Sequence, residues 1–338
     1  MILSVQKKAS RFSLKLFLYF YIIFFFSGCE VLSTTKQIET PLLDKNNYIQ
    51  FVSLETEQTA QTIEKTQFEW QELYKGIEFC TFFDKSSSSV CNAVKIKLDT
   101  QNLKIIASNP VEPFYNNLTS IFKGETTRKF AKNNNAIVAV NATPFNYPAG
   151  RLSNKRTLAG IYAVNDIIYA PKAGNYAALV FYQDKHGKFF AKVLDSQNDF
   201  EPNDSTRFAF GGFWALIKNN DIIKFDSKQK EPRSAAGIIN NGRTLILLAI
   251  DKSNFTSKGA TFNETSSILY NLGAEEAIML DGGSSSSLVI DGKQISKAFP
   301  HVEVALSFGF VFDEPNDKPK TDESELKESK LDKSEIKP

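Results

Sequence analysis

Short apolar runs, each closed by Asn, Gly, Asp or Pro, recur along the middle of the chain and leave little room for helices. The runs at 76–83, 90–98, 103–108, 136–141, 158–164, 177–183, 189–194, 213–218, 221–225 and 244–250 are rich in Val, Ile, Phe and Tyr. That composition and length predict strands. Asn219-Asn220 and Asn240-Asn241-Gly242 supply the turn chemistry between them. Only two segments carry helical spacing. One covers 126–132; the other, 261–272, places Phe262, Ile268, Leu269 and Leu272 on one face. Thr261 and Glu264 make a capping-box pattern at its start, and Gly273 ends it. The expectation is an α+β chain: one β-rich globular domain of mixed sheets with a few short helices.

The two ends read differently. Lys7, Lys8, Arg11 and Lys15 precede an apolar run at 16–26, and Ser27-Gly28-Cys29 follows. Positive lead, short hydrophobic core and small residues before a cysteine are the order of a lipoprotein-type signal peptide. The run is shorter than the roughly 20 apolar residues of a membrane span. The expectation is a signal peptide over 1–28, lipidation at Cys29 and export to a bacterial cell envelope, with the membrane reached through the lipid anchor. Phe26 stands where such motifs usually carry Leu. Segment 29–70 is polar and reads as a tether. Beyond 313 the chain is Asp, Glu, Lys, Ser and Pro, too poor in apolar surface to offset its ordering entropy, so 313–338 reads as a disordered charged tail. The domain is expected at 71–312.

Composition narrows the chemistry. A net charge of +2 gives no footprint for nucleic acid. No Gly-rich nucleotide loop is present. With only two histidines, His186 and His301, both in polar loops, acid–base work falls to carboxylates and arginine. Cys80 and Cys91 lie in successive strand-like runs. In an oxidising envelope they read as a cross-strand disulfide, with two buried thiols as the alternative.

The chemistry-bearing stretch runs from 232 to 292. Pro232-Arg233-Ser234 opens a strand, and a second strand ends at Asp251. Gly259-Ala260-Thr261 leads into the helix holding Glu264, and Leu272-Gly273-Ala274 follows it. A buried-looking strand then ends in Asp281-Gly282-Gly283-Ser284-Ser285. Two glycines permit positive φ and close backbone approach. Their N–H groups, with the serine hydroxyls, can form an anion-binding concavity. Arg233 offers a planar, permanently charged fork for phosphate or carboxylate. Glu264 is either a catalytic carboxylate or only a helix cap.

This ordered set resembles the phosphodiester glycosidase family, the relatives of N-acetylglucosamine-1-phosphodiester alpha-N-acetylglucosaminidase, the mannose 6-phosphate uncovering enzyme. Asn141 and Phe145 are similar to that family's Asn-Gly-Gly-Phe-Phe strand end, and Phe210-Gly211-Gly212-Phe213 to another of its Gly-Gly segments. Ala142-Thr143-Pro144 replaces the expected Gly-Gly, which narrows backbone approach there, and Ser234 replaces Thr. The resemblance spans about 71–312 and implies hydrolysis of the sugar–phosphate bond of a glycosyl phosphodiester, on a small molecule or an envelope polymer. It implies Asp281 and Glu264 as nucleophile or base, with Asp251 in support. It implies Arg233, Asn141, Gly282, Gly283, Ser284 and Ser285 around the substrate. No cofactor is expected. Two rivals stand beside this reading: a non-catalytic carbohydrate-binding or adhesive lipoprotein, and a divalent-cation site built on Asp281 and Asp251.

Overall fold

The computed structural model describes residues 68–115, 119–252, 258–296 and 302–313. The expected signal peptide, Cys29, nearly all of the tether and of the C-terminal tail, and His301 lie outside the described residues. The last residues of the expected tether belong to the domain. Phe68 packs edge-on against Phe82 at 4.8 Å, and Lys95 Nζ sits 3.9 Å from the Trp70 ring.

Strands dominate, as composition requires. An eight-stranded sheet runs in the order Gln71–Tyr74, Ile77–Asp84, Ser89–Lys97, Thr244–Ile250, Arg233–Ile239, Glu276–Met279, Ala215–Lys218 and Asp221–Ile222. A second sheet centres on Thr206–Gly211, between Tyr162–Val164 and Ala178–Gln183. A third places Val138–Asn141 between Leu288–Ile290 and Ser307–Phe312. Every pairing between named strands is antiparallel, where mixed sheets were expected.

A fourth, small sheet joins Phe122–Lys123, Lys155–Leu158 and Phe145–Asn146. The main core joins side chains from all four sheets, among them Leu247, Phe181, Phe210, Phe308, Phe310, Val140, Phe122 and Leu158. The outer face of the eight-stranded sheet carries a second core. There Ile268 and Leu269 of the Phe262–Asn271 helix meet Ile246, Leu248 and Met279. The Thr127–Asn133 helix covers the third sheet in the same way, setting Phe130 and Ala131 against Ala139 and Val289. This two-sided burial explains why Thr244–Ile250 is apolar along nearly its whole length, and buried at every position, instead of alternating. Among the described residues, no helix is long and apolar enough to cross a membrane.

Cys80 and Cys91 are free and buried, so the expected disulfide is corrected. Across the ladder Cys80 faces Ala93 and Cys91 faces Phe82, a diagonal placement that sets neither thiol opposite the other. Burial is the main cause holding both thiols protonated, and pushes Cys80 up to about 12. Thiols so placed are structural and unreactive.

Candidate active site

The chain leaves the eight-stranded sheet after Met279 and enters the third sheet at Leu288. The crossing, 280–287, is the candidate site. Leu280 N–H still donates to Ser234 O at 3.0 Å, while Asp281 N–H already donates to Ala142 O at 2.9 Å. The carboxylate therefore sits where two sheets are sewn together.

Asn141 is the stitch. Its side chain is fully buried, and every polar contact it makes crosses between elements. Nδ2 donates to Asp281 O at 2.7 Å, and Oδ1 accepts from Ser234 Oγ at 2.7 Å and from Ser287 N–H at 2.9 Å. An amide is needed because it alone offers donor and acceptor in one plane. Asn141 thus positions the turn.

The glycines of the turn have separate reasons. Gly283 adopts φ of +61°, and a Cβ there would lie 3.1 Å from Glu231 Oε2. At Gly282 a Cβ would lie 3.3 Å from Pro232 O. Several N–H groups of this turn donate within the protein. Gly283 N–H donates to Pro232 O at 2.8 Å, Ser285 N–H to Gly282 O at 3.2 Å and Ser286 N–H to Gly283 O at 3.2 Å. Ser284 alone of the turn's serines stays exposed. Burial raises the Asp281 carboxyl to about 7; the Ser285 and Gly282 hydrogen bonds pull it back down, and the Glu231 charge adds to the rise. Two buried hydroxyls close by in sequence, Thr143 Oγ1 and Ser286 Oγ, have no partner among the described residues.

Arg233 is brought to the turn, and each of its three nitrogens already donates one hydrogen bond within the protein. Nε donates to Ala260 O at 2.8 Å, Nη1 to Glu231 Oε1 at 2.7 Å and Nη2 to Gln229 O at 2.9 Å. Its guanidinium lies 4.4 Å from the Phe262 ring. Burial pulls its pKa down, and the neighbouring Glu231 charge opposes that. Glu264 closes the capping box with Thr261 and pairs with Lys230 at 2.6 Å, so its carboxylate is engaged at the helix start. Asp251 accepts from Asn92 Nδ2 at 3.1 Å and lies by Cys91, whose thiol its charge helps to raise. His186 sits in an exposed turn held by Asp184. No cluster of three or more His, Cys, Asp or Glu positioned for a metal occurs among the described residues.

Glu231, which the sequence reading passed over, is the second carboxylate of the site. It is half-buried, ion-paired to Arg233 and close to Gly283. Its place directly before Pro232-Arg233 was the available signal. Beyond Arg233, Trp214 is 39% exposed, so one aromatic edge reaches solvent. Its ring meets Phe262 at 5.3 Å and Tyr176 at 5.4 Å, forming an aromatic rim.

Gly259 ties this rim to the turn. Its φ is +90°, and a Cβ would fall 2.0 Å from Glu231 O. Gly259→Ala is therefore expected to cost about 2–4 kcal/mol, because both the conformation and the close approach forbid a side chain. Urea unfolding measures this; a cost within experimental error would contradict the geometry.

The model of the phosphodiester glycosidase family matches residues 134–312. The SPbeta prophage-derived uncharacterized protein YomE of Bacillus subtilis (strain 168) is 28% identical over 214 residues, which is 59% of this chain and 32% of YomE. The chain thus spans about a third of that curated relative. A hypothetical protein from Synechocystis superposes with a TM-score of 0.53 at 16% identity, over 73% of this chain and 64% of that one. The catalytic domain of zebrafish N-acetylglucosamine-1-phosphodiester alpha-N-acetylglucosaminidase, auto-inhibited by its pro-peptide, superposes with a TM-score of 0.50 at 18% identity, covering 71% of this chain and 87% of that domain. At these identities the structural likeness is one of fold.

Proposed function

The chain belongs to the phosphodiester glycosidase family, and on that premise we propose that it hydrolyses the sugar–phosphate bond of a glycosyl phosphodiester, releasing the sugar and leaving a phosphomonoester. The observation that carries this reading is the placement of Asp281: a partly buried carboxyl fixed at the crossing of two sheets by its backbone bonds to Ala142 and Asn141, beside the Glu231–Arg233 pair, where burial raises it to about 7. A carboxyl titrating near neutrality is matched to proton transfer at working pH. In this reading Asp281 takes the proton of a water attacking the anomeric carbon. The C–O bond breaks with its electron pair going to the phosphate oxygen, a good leaving group that needs little acid assistance. Glu231, paired with Arg233, is the companion carboxylate. The aromatic rim around Trp214 suits the apolar face of a sugar ring. Water is the only co-reactant, and no cofactor enters.

The substrate is a small glycosyl phosphate or an envelope polymer carrying one, and the N-terminal pattern supports an exported lipoprotein anchored through Cys29. The purified protein is expected to release sugar from a sugar-1-phosphodiester. No release with retained glycan binding would favour a carbohydrate-binding protein on the same fold, which the Ala142-Thr143-Pro144 wall also fits.

The acid limb of kcat/KM is expected near pH 7, with activity falling as Asp281 protonates below it. Glu231→Gln removes the neighbouring negative charge, so the limb is expected to move to lower pH by about half to one unit. A limb that stays in place or moves to higher pH would remove Glu231 from this role.

A further inference from the structure

We infer that Arg156, rather than Arg233, is the cation that receives the phosphoryl oxygens, through the Nε–Nη2 edge of its guanidinium. The inference rests on the phosphodiester reading and assigns that reading's charged group a binding residue. Arg156 lies on the Lys155–Leu158 strand, 5% exposed. Nη1 is committed: it donates to Ser153 O at 2.6 Å and Lys155 O at 3.0 Å. Nε has no partner among the described residues. Nη2 faces only the Glu303 carboxylate at 3.9 Å, beyond hydrogen-bond length. At Arg233, by contrast, Nε, Nη1 and Nη2 each already make a hydrogen bond within the protein, so no nitrogen is left without a partner.

The two faces of the Arg156 plane are also fixed. The Tyr147 ring centre lies 4.3 Å from the guanidinium carbon. Gly124 lies so close that a Cβ there would be 3.0 Å from Nη2. The group is held flat with one edge unspent, and two parallel N–H donors match two oxygens of a phosphate. A buried cation lacking a close counter-charge is costly, which a bound oxyanion would relieve.

The backbone beside Glu303 reaches the crossing turn. Val302 N–H reaches Ser284 O at 3.4 Å, and Glu125 and Val304 pair through two backbone hydrogen bonds of 3.1 and 2.9 Å. The backbone carrying Glu303 is thereby fixed, while its side chain is 53% exposed and able to swing aside. Glu303 occupies the edge loosely, as a substitute that a phosphoryl group displaces.

Two variants test this. Glu303→Gln changes an exposed side chain and removes the competing charge, so inorganic phosphate, titrated calorimetrically into the full chain, is expected to bind roughly 3- to 10-fold more tightly. Arg156→Lys keeps the charge but loses the fork, and is expected to weaken phosphate binding and raise KM for a sugar-1-phosphodiester about 10-fold, with kcat within about twofold. If Arg156 served only to hold the Ser153 turn, Glu303→Gln would leave phosphate affinity unchanged and Arg156→Lys would lower the melting temperature without a KM effect; either result overturns the inference. Turnover with unaltered phosphate affinity in both variants would leave the hydrolase reading standing. Phosphate binding tightened by Glu303→Gln in a protein that releases no sugar would sink the hydrolase reading and keep the anion site.

Discussion

Asp281→Asn is expected to abolish sugar release, by at least about 10³-fold in kcat, and at the same time to make the protein more stable above neutral pH. The second effect follows from the direction of the Asp281 shift. Its carboxyl is raised from 3.8 to about 7 in the folded protein. The folded state therefore favours the protonated form. The stability this confers is present below the unfolded value, near pH 4, and is lost as pH rises toward 7. Above 7 a buried carboxylate remains charged, and folding carries that cost. An amide of the same shape carries no such cost. The variant should match wild type at pH 4 and exceed it by about 1–3 kcal/mol at pH 8, allowing for hydrogen bonds the amide makes less well. That is a gain of several degrees in melting temperature for a domain of this size. Thermal melts at both pH values, beside the sugar-release assay, read both effects. Undiminished turnover, or the same melting difference at pH 4 and pH 8, would refute the assignment.

The other large effect is expected at Asn141. Replacing it with Leu strands three partners at once: Ser234 Oγ, Ser287 N–H and Asp281 C=O. The hydroxyl can turn elsewhere; the two backbone groups cannot. A loss of about 3–5 kcal/mol is expected from the unpaired buried groups and the larger side chain. Asn141→Asp separates the roles. A carboxylate keeps both acceptor contacts but meets the Asp281 carbonyl with a lone pair instead of a donor and sets a charge in a fully buried site, so its loss of stability, unlike that of Leu, should shrink at low pH, where a protonated carboxyl can donate again. Urea unfolding of both variants at neutral and at low pH gives the comparison. A Leu variant within 1 kcal/mol of wild type would mean that Asn141 does not stitch the sheets, since even one stranded buried group costs about that much.

Much of this architecture was written in local pattern. The capping box at Thr261 and Glu264 formed as spaced, and the run at 90–98 became the strand Ser89–Lys97. The run at 158–164 did not stay whole. Gly160 breaks it, because the Gln197 side chain occupies the space a Cβ would need, and Gln197 Oε1 accepts from Ile161 N–H. Strands such as Thr206–Gly211 and Ser307–Phe312 went unseen because both their faces are buried and their Phe-rich repeats show no polar alternation.

The site was legible as a set of residues and misread in their duties. Arg233, Asn141 and the 281–285 turn do converge. Yet sequence carries no record of where a donor is used, so Arg233 read as an open fork although each of its nitrogens already donates within the protein. Glu231, despite its place before Pro232-Arg233, and Arg156 were passed over for the opposite reason. Each lies among ordinary charged neighbours, and only the folded chain shows that one stands beside Asp281 and the other holds an unpaired edge.

The crossing at 280–287 also bears on how the protein assembles. Asn141 and Asp281, joined by one hydrogen bond, are 140 residues apart in the chain. Neither sheet contains the carboxylate and its stitch together. Contacts so distant close late, after local hairpins have formed, because the loop entropy must be met first. In a refolding experiment the strand signal should therefore return ahead of catalysis, and a chain trapped with its sheets formed but undocked would look folded by circular dichroism while remaining inert.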